Sequence, residues 1–192
     1  MSEFDPGQYN ELRMRETRIP GLLHFNIPVH GDNRGWFKEN YQRKKLVNLG
    51  LPAEFEVVQN NISYNEKKGV TRGIHAEPWD KFISIAFGSV FAAIVDFRPG
   101  DSFGQLEEFE LNPGQAIYVP RGCGNSFQTL EDHTVYTYLV NEHWSPEAEY
   151  TLVNLADPDL AIAWPIPLDQ AEVSEKDLGH PLLSEIKSKE SE

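Results

Sequence analysis

His133-Thr134-Val135-Tyr136-Thr137-Tyr138-Leu139, residues 133–139, decides the class of fold, because it alternates with a period of two. Successive side chains of a strand point to opposite faces, so Thr134, Tyr136 and Tyr138 share one face and Val135, Thr137 and Leu139 the other. Tyr136 and Tyr138 therefore point the same way. Outward from this stretch, short β-rich runs recur at 55–63, 82–87, 89–97, 106–111, 115–119 and 126–130, broken by turn residues such as Pro99-Gly100 and Asn112-Pro113-Gly114. Many short strands at near-regular spacing predict an all-β sandwich, jelly roll or small barrel rather than alternating strands and helices.

Residues 1–18 are polar and read as an arm or a loosely held strand, and 22–29 is the first convincing apolar stretch. Gly31-Asp32-Asn33-Arg34-Gly35 carries turn chemistry and leads into Trp36-Phe37-Lys38-Glu39-Asn40-Tyr41. The glycines and Asx residues there tolerate positive φ. One short helix is expected near 42–49, closed by Gly50 and Pro52. Trp164-Pro165-Ile166-Pro167 fits no regular element and should wrap the barrel, with a last short helix through 182–186. The expected layout is an arm at 1–18, a single domain at 19–188 and a frayed tail at 189–192.

With 192 residues, 40% of them hydrophobic, the chain can bury one substantial core. Thirty acidic against 17 basic residues give a formal net charge of -13, which disfavours nucleic acid and acidic membranes as partners. An anionic ligand would need cations gathered locally. The N-terminus lacks the apolar core of a signal peptide, and no run approaches the roughly 18 apolar residues of a membrane span, so a cytoplasmic protein with no membrane partner is expected. The single cysteine, Cys123, excludes an internal disulfide and a multi-cysteine zinc site. Between Gly122 and Gly124 it reads as a small residue in a turn.

The chemistry concentrates at 69–81, Gly-Val-Thr-Arg-Gly-Ile-His-Ala-Glu-Pro-Trp-Asp-Lys. Arg72 and Lys81 bring positive charge, and His75 can exchange a proton near neutral pH. The spacing resembles the two motifs of the metal-binding cupins, which are jelly-roll barrels. Gly69 precedes His75 by five intervening residues, and Gly114 precedes Pro120-Arg121-Gly122 by the same interval. The usual ligands are replaced, however: Glu77 stands at the second histidine, Lys81 at the glutamate and Asn125 at the last histidine. An ammonium in the ligand shell is hostile to a divalent cation, so no metal is expected.

Seven motifs in order resemble the dTDP-4-dehydrorhamnose 3,5-epimerases, from about Leu22 to Leu183. They are Gly31 to Glu39, Val58-Gln59-Asn60-Asn61-Ile62-Ser63, Arg72-Gly73-Ile74-His75, Lys81 with Gly88-Ser89-Val90-Phe91, Val95-Asp96-Phe97-Arg98, Val119-Pro120-Arg121-Gly122, and Ser174-Glu175-Lys176-Asp177. His75-Ala76-Glu77-Pro78-Trp79-Asp80-Lys81 is similar to a subgroup of Gram-positive bacteria.

The resemblance implies a cupin jelly roll that epimerises a dTDP-linked 4-keto-6-deoxy sugar by enolisation at C3 and C5, without a cofactor. It implies His75 as base, Asp177 as its orienting carboxylate, Lys81 as enolate stabiliser and Tyr138 as the acid on the opposite face. It assigns diphosphate binding to Arg34 and Arg72, pocket lining to Gln59 and Asn61, contacts near the base to Glu39 and Trp144, and leaves Asn125 where many members have histidine. It further implies a homodimer, and association or fusion with a 4-keto reductase.

Alternatives remain within the sequence. Asn125 cannot titrate, which leaves open a single-centre epimerase or a 3,4-ketoisomerase. From another class, the chain could be a non-catalytic sugar-nucleotide-binding cupin serving a reductase. Residue by residue, His75 could be structural, Arg34 a solvated loop charge, and Tyr136 competes with Tyr138. His24, His30, His133, His143 and His180 lack partners at informative spacing and read as surface or packing residues.

Overall fold

The computed structural model describes residues 4–189, and these form two stacked, mostly antiparallel sheets with three short α-helices. One sheet runs in the order β1 (Arg13–Glu16), β2 (Leu23–Asn26), β10 (Gln115–Val119), β7 (Lys81–Phe87), β12 (Thr134–Val140), β5 (Gln59–Asn65). The other runs β13 (Thr151–Leu152), β6 (Val70–Ala76), β11 (Cys123–Thr129), β8 (Val90–Asp96), β9 (Leu106–Leu111), with β14 (Glu172–Val173) parallel to β6. This is the expected jelly-roll arrangement. A separate hairpin, β3 (Val29–Asp32) with β4 (Gly35–Lys38), lies off both sheets.

The alternation that defines a strand is clearest where one face meets the core. Ile83, Ile85, Ile94, Leu111, Ile117, Phe127 and Tyr136 interdigitate between the sheets and are almost fully buried. A second cluster, Phe25, Leu46, Leu51, Phe55, Phe82 and Tyr118, is capped by α1 (Arg43–Asn48). The Gln42 side chain accepts from the Lys45 N–H at 2.8 Å and so starts that helix at the predicted place. Each fully buried Phe contributes ~1.5–3 kcal/mol relative to exposure, and Phe25, Phe55 and Phe82 fix the outer end of this sheet.

A third cluster lies under the C-terminal segment, where Val153, Leu155 and Leu160 cover Ile74, Ala76, Val95 and Phe97. The Trp164–Pro167 stretch wraps the barrel as expected: the Trp164 indole donates to the Leu155 carbonyl at 3.1 Å, and the Ile166 N–H to Gln128 Oε1 at 2.7 Å. Two helices follow, α2 (Glu175–Leu178) and α3 (Leu183–Lys189), the latter in place of the helix expected at 182–186. The arm is partly a strand, since β1 pairs with β2 along the sheet edge. The first three residues of the arm and residues 190–192 of the expected tail lie outside the described residues. No helix among the described residues is long and apolar enough to cross a membrane.

Of the strands that the sequence did not mark, β6 is the longest. The stretch 69–81 reads as charged residues between two β runs, yet Val70–Ala76 is β6, paired with β11. Its pattern is hidden because the inner face carries Arg72 and His75 in place of apolar side chains, and because Gly73 interrupts it. Gly73 sits at φ 128°, and a Cβ there would fall 2.3 Å from that of Ser126 on β11, so the close pairing of the two strands requires glycine.

Candidate active site

The two sheets splay at one end around a cavity of about 250 Å³. Ser63 on β5, Lys81 on β7 and Tyr136 and Tyr138 on β12 enter from one sheet. Arg72, Gly73 and His75 on β6, with Asn125 and Phe127 on β11, enter from the other; Glu77 and Asp177 complete the wall. Six of the eleven sequence candidates, His75, Asp177, Lys81, Tyr138, Arg72 and Asn125, are thereby brought together.

His75 Nε2 lies 2.9 Å from Asp177 Oδ1 across 102 positions of sequence. Asp177 reaches that place because the Ser174 hydroxyl accepts from its N–H at 3.1 Å, starting α2, and because β14 docks in parallel onto β6 just before it. The carboxylate is buried. Desolvation pushes the His75 pKa below its ordinary value, aided by the Lys81 and His180 charges and opposed by Asp177. The imidazole is thus held neutral at neutral pH, with a carboxylate beside it to stabilise the cation that forms when it accepts a proton.

Lys81 opens β7 with its Nζ in contact with the Glu77 carboxylate and donating to Asn125 Oδ1. Burial pushes its pKa down to about 7, and the adjacent Glu77 carboxylate works against that shift by favouring the ammonium. The turn between them is fixed by Asp80, which accepts from the Arg121 N–H and the Asn141 side-chain amide, both at 2.8 Å. Lys81 thus aims its Nζ into the cavity, where its ammonium form can hold developing negative charge on an oxygen.

Tyr136 and Tyr138 do share a face. Tyr136 is buried and stacks on Phe127 with ring centroids 4.2 Å apart, forming the floor. Tyr138, half-buried and facing β6 from the opposite sheet, is the more accessible of the two. Burial raises its pKa above the usual phenol value while the Arg72 charge lowers it, so the hydroxyl keeps its proton at neutral pH. Arg72 is exposed at the mouth and donates from Nε to Asn65 Oδ1 at 3.1 Å.

The other five candidates stand outside the cavity of their own chain. Gln59 and Asn61 continue the Ser63 face of β5, bonded to each other at 2.8 Å, and Trp144 donates its N–H to Gln59 Oε1 at 3.3 Å while its ring is exposed. Arg34 extends from the β3–β4 hairpin, 83% exposed and paired with Asp32 at 2.5 Å. Glu39 pairs with Lys45 beside α1. The reason is topological: the hairpin hangs from its own sheet, held by Lys38 Nζ donating to the Ile85 and Pro113 carbonyls, and does not fold back over the mouth. Trp79 packs edge-on against Tyr150 and does not line the cavity.

Of the lining residues that the sequence candidates omit, Glu77 is the charged one. Its signal was present, since it occupies the second ligand place of the cupin motif, two residues from His75 and four from Lys81. The cupin metal does not fit this donor set: the Lys81 ammonium occupies the position facing Glu77 and Asn125, and the histidine is committed to Asp177.

Known proteins resemble this chain over most of its length. The family model described as dTDP-4-dehydrorhamnose 3,5-epimerase matches residues 16–185. A protein named RmlC homolog from Streptococcus pyogenes serotype M6 is 49% identical over 183 residues, covering 92% of each chain. The dTDP-4-dehydrorhamnose 3,5-epimerase of Pseudomonas aeruginosa is 34% identical over 173 residues, covering 85% of this chain and 93% of its own. Among solved structures, RmlC from Streptococcus suis in complex with dTDP-D-xylose superposes with a TM-score of 0.87 at 49% identity, covering 92% of this chain and 93% of that one.

Proposed function

The chain belongs to the dTDP-4-dehydrorhamnose 3,5-epimerase family, and from that premise we propose how its cavity performs the reaction. It is an isomerase of a dTDP-linked 4-keto-6-deoxy sugar, converting dTDP-4-dehydro-6-deoxyglucose to dTDP-4-dehydrorhamnose in dTDP-rhamnose biosynthesis. The 4-keto group acidifies the hydrogens on C3 and C5. His75 removes one of them, and Asp177 stabilises the imidazolium that results. The electron pair moves into the ring and onto the carbonyl oxygen, giving an enolate that Lys81 neutralises or protonates. Tyr138, from the opposite sheet, returns a proton to the other face of the carbon and inverts it.

The observation that carries this reading is the pairing of His75 with Asp177 at 2.9 Å on one side of a cavity whose other wall presents Tyr138 and Lys81. Arg72 at the mouth suits the diphosphate, with which a guanidinium forms paired, charge-assisted hydrogen bonds. We further propose a homodimer. Arg34, Glu39 and the exposed Phe37, Ile62 and Tyr64 lie on surfaces that a second copy can cover, and Arg34 and Glu39 then serve the partner's cavity. Gln59, Asn61 and Trp144 border the mouth on their own chain and would meet the nucleotide. An activated sugar nucleotide as substrate implies the cytoplasm, where association with a 4-keto reductase would pass the product on.

The deciding experiment is NMR of the 4-keto sugar nucleotide in deuterated water. Exchange and inversion at both C3 and C5 support the two-centre reaction, and exchange at only one makes it a single-centre epimerase. Tight nucleotide binding with no exchange would identify a non-catalytic binding protein.

A further inference from the structure

His180 reads from the sequence as a surface or packing residue, but it lies against the proposed base. Its Nε2 is buried, makes no hydrogen bond among the described residues, and lies 3.5 Å from Asp177 Oδ1, the same oxygen that bonds His75. The two imidazoles meet nearly edge to face, with ring centroids 5.8 Å apart and planes at 79°. The backbone holds His180 there: Asn154, just beyond β13, donates from Nδ2 to the His180 carbonyl at 3.3 Å and to the Leu178 carbonyl.

We infer that His180 is a positioning residue of the epimerisation site, sharing Asp177 with His75 and thereby setting how strongly His75 holds a proton. A buried carboxylate serving one imidazole places its full charge against that ring. A second imidazole 3.5 Å from the same oxygen, with its polar edge turned to it, competes for that charge, so the His75 cation is stabilised less. If His180 itself carries a proton, its charge acts on His75 in the same direction. The consequence is a base kept neutral at lower pH and a dyad that releases its proton readily to the next acceptor.

The other groups around the pair have fixed roles in this account. Lys81 from β7 and Arg72 from β6 add positive charge near His75, and Glu77 offsets Lys81. Tyr136 and Tyr138 from β12 are neutral, as is Asn125 from β11. Asp177 and His180 lie against His75 from the α2 side, so changing His180 probes their coupling. The burial and charge effects already act in this sense, since His180 is among the causes that lower the His75 pKa.

The inference rests on His75 as the base, and the test separates the two. The pH dependence of kcat/KM is measured for the wild type, His75→Asn, His180→Leu and His180→Gln, with the C2–H signals of the histidines followed by NMR titration. His180→Leu should move the rising acid limb up by about half a pH unit, roughly a threefold loss on that limb, with the His75 titration shifted equally. His180→Gln keeps an N–H donor and should leave the limb near the wild-type position. A pH-independent loss in His180→Leu, with the His75 titration unmoved, would give His180 only a packing role. If His180→Leu fails to fold, a limb in His180→Gln shifted as far as half a unit overturns the proposal instead. Retention of exchange by His75→Asn would overturn the base assignment itself, whatever His180 does.

Discussion

The ammonium of Lys81 touches the carboxylate of Glu77 four residues before it, with only 3% of the lysine side chain exposed. An enolate stabiliser must be cationic to work, and burial pushes the Lys81 pKa down to about 7. A carboxylate in contact with the ammonium favours its charged form, which is the part Glu77 is placed to play. Glu77→Gln removes the charge but keeps the shape, so the folded-state pKa of Lys81 should fall, and the ammonium should be lost at lower pH than in the wild type. The falling alkaline limb of kcat/KM should shift down, by about one unit if the coupling is ~1.4 kcal/mol, which is a loss on the order of tenfold on that limb. An unmoved alkaline limb would show that Lys81 is not held charged by Glu77.

His75→Asn should abolish solvent exchange at both carbons, on the order of a 10³-fold loss or more for a general base, with nucleotide affinity nearly unchanged. Arg72→Ala should do the reverse, raising KM for the sugar nucleotide and weakening dTDP binding while exchange at saturation persists. Calorimetry with dTDP alongside exchange rates checks both variants. The opposite pattern would mean that chemistry and grip have been exchanged between the two residues.

Tyr138→Phe keeps the ring and removes the proton. If Tyr138 delivers the proton after His75 has taken one, wash-out of the substrate hydrogen should continue while inversion slows by about 10² or more. The ratio of exchange to inversion, read in one NMR experiment, is the measure. Equal slowing of both would move Tyr138 from the acid step to substrate placement.

Gly73→Ala tests the strand that sequence periodicity did not reveal. The new Cβ would lie 2.3 Å from Ser126 Cβ at a φ of 128°, so the β6–β11 pairing must open or the chain must strain. A loss of at least ~2 kcal/mol in unfolding free energy is expected from combined strain and overpacking, read from denaturant midpoints. Because Gly73 adjoins both Arg72 and Ile74 ahead of His75, activity should fall with stability.

The barrel was legible because β7, β8 and β10 are buried on both faces and read as continuous apolar runs, while β12 keeps the alternation of a strand with one face on the core. β6 was not legible for the same reason inverted: its inner face meets ligand space, so Arg72 and His75 stand where apolar residues would mark a strand. The pairing of His75 with Asp177 came from resemblance alone, since nothing local links residues so far apart; the α2 cap at Ser174 is visible in sequence, but its docking beside β6 is not. Glu77 was noted only as a replaced metal ligand, because its contact with the Lys81 ammonium depends on Lys81 being buried beside it. Arg34 and Glu39 show the remaining limit. Their motif marks them as functional, and the hairpin geometry carries them away from their own cavity.

That separation gives the last prediction. If Arg34 serves the cavity of a second copy, Arg34→Ala and His75→Asn homodimers should each be weak or inactive, yet mixing them should restore activity. In a hybrid dimer, the subunit with intact His75 receives intact Arg34 from its neighbour, while the other site carries both changes. Random reassortment makes half the dimers hybrid with one good site in two, so about a quarter of wild-type activity should return. If Arg34 acts within its own chain, every site in the mixture carries one of the two changes and nothing is recovered. Refolding the mixed variants together and assaying exchange distinguishes these outcomes, and a monomer at assay concentration, by light scattering, would refute the homodimer directly.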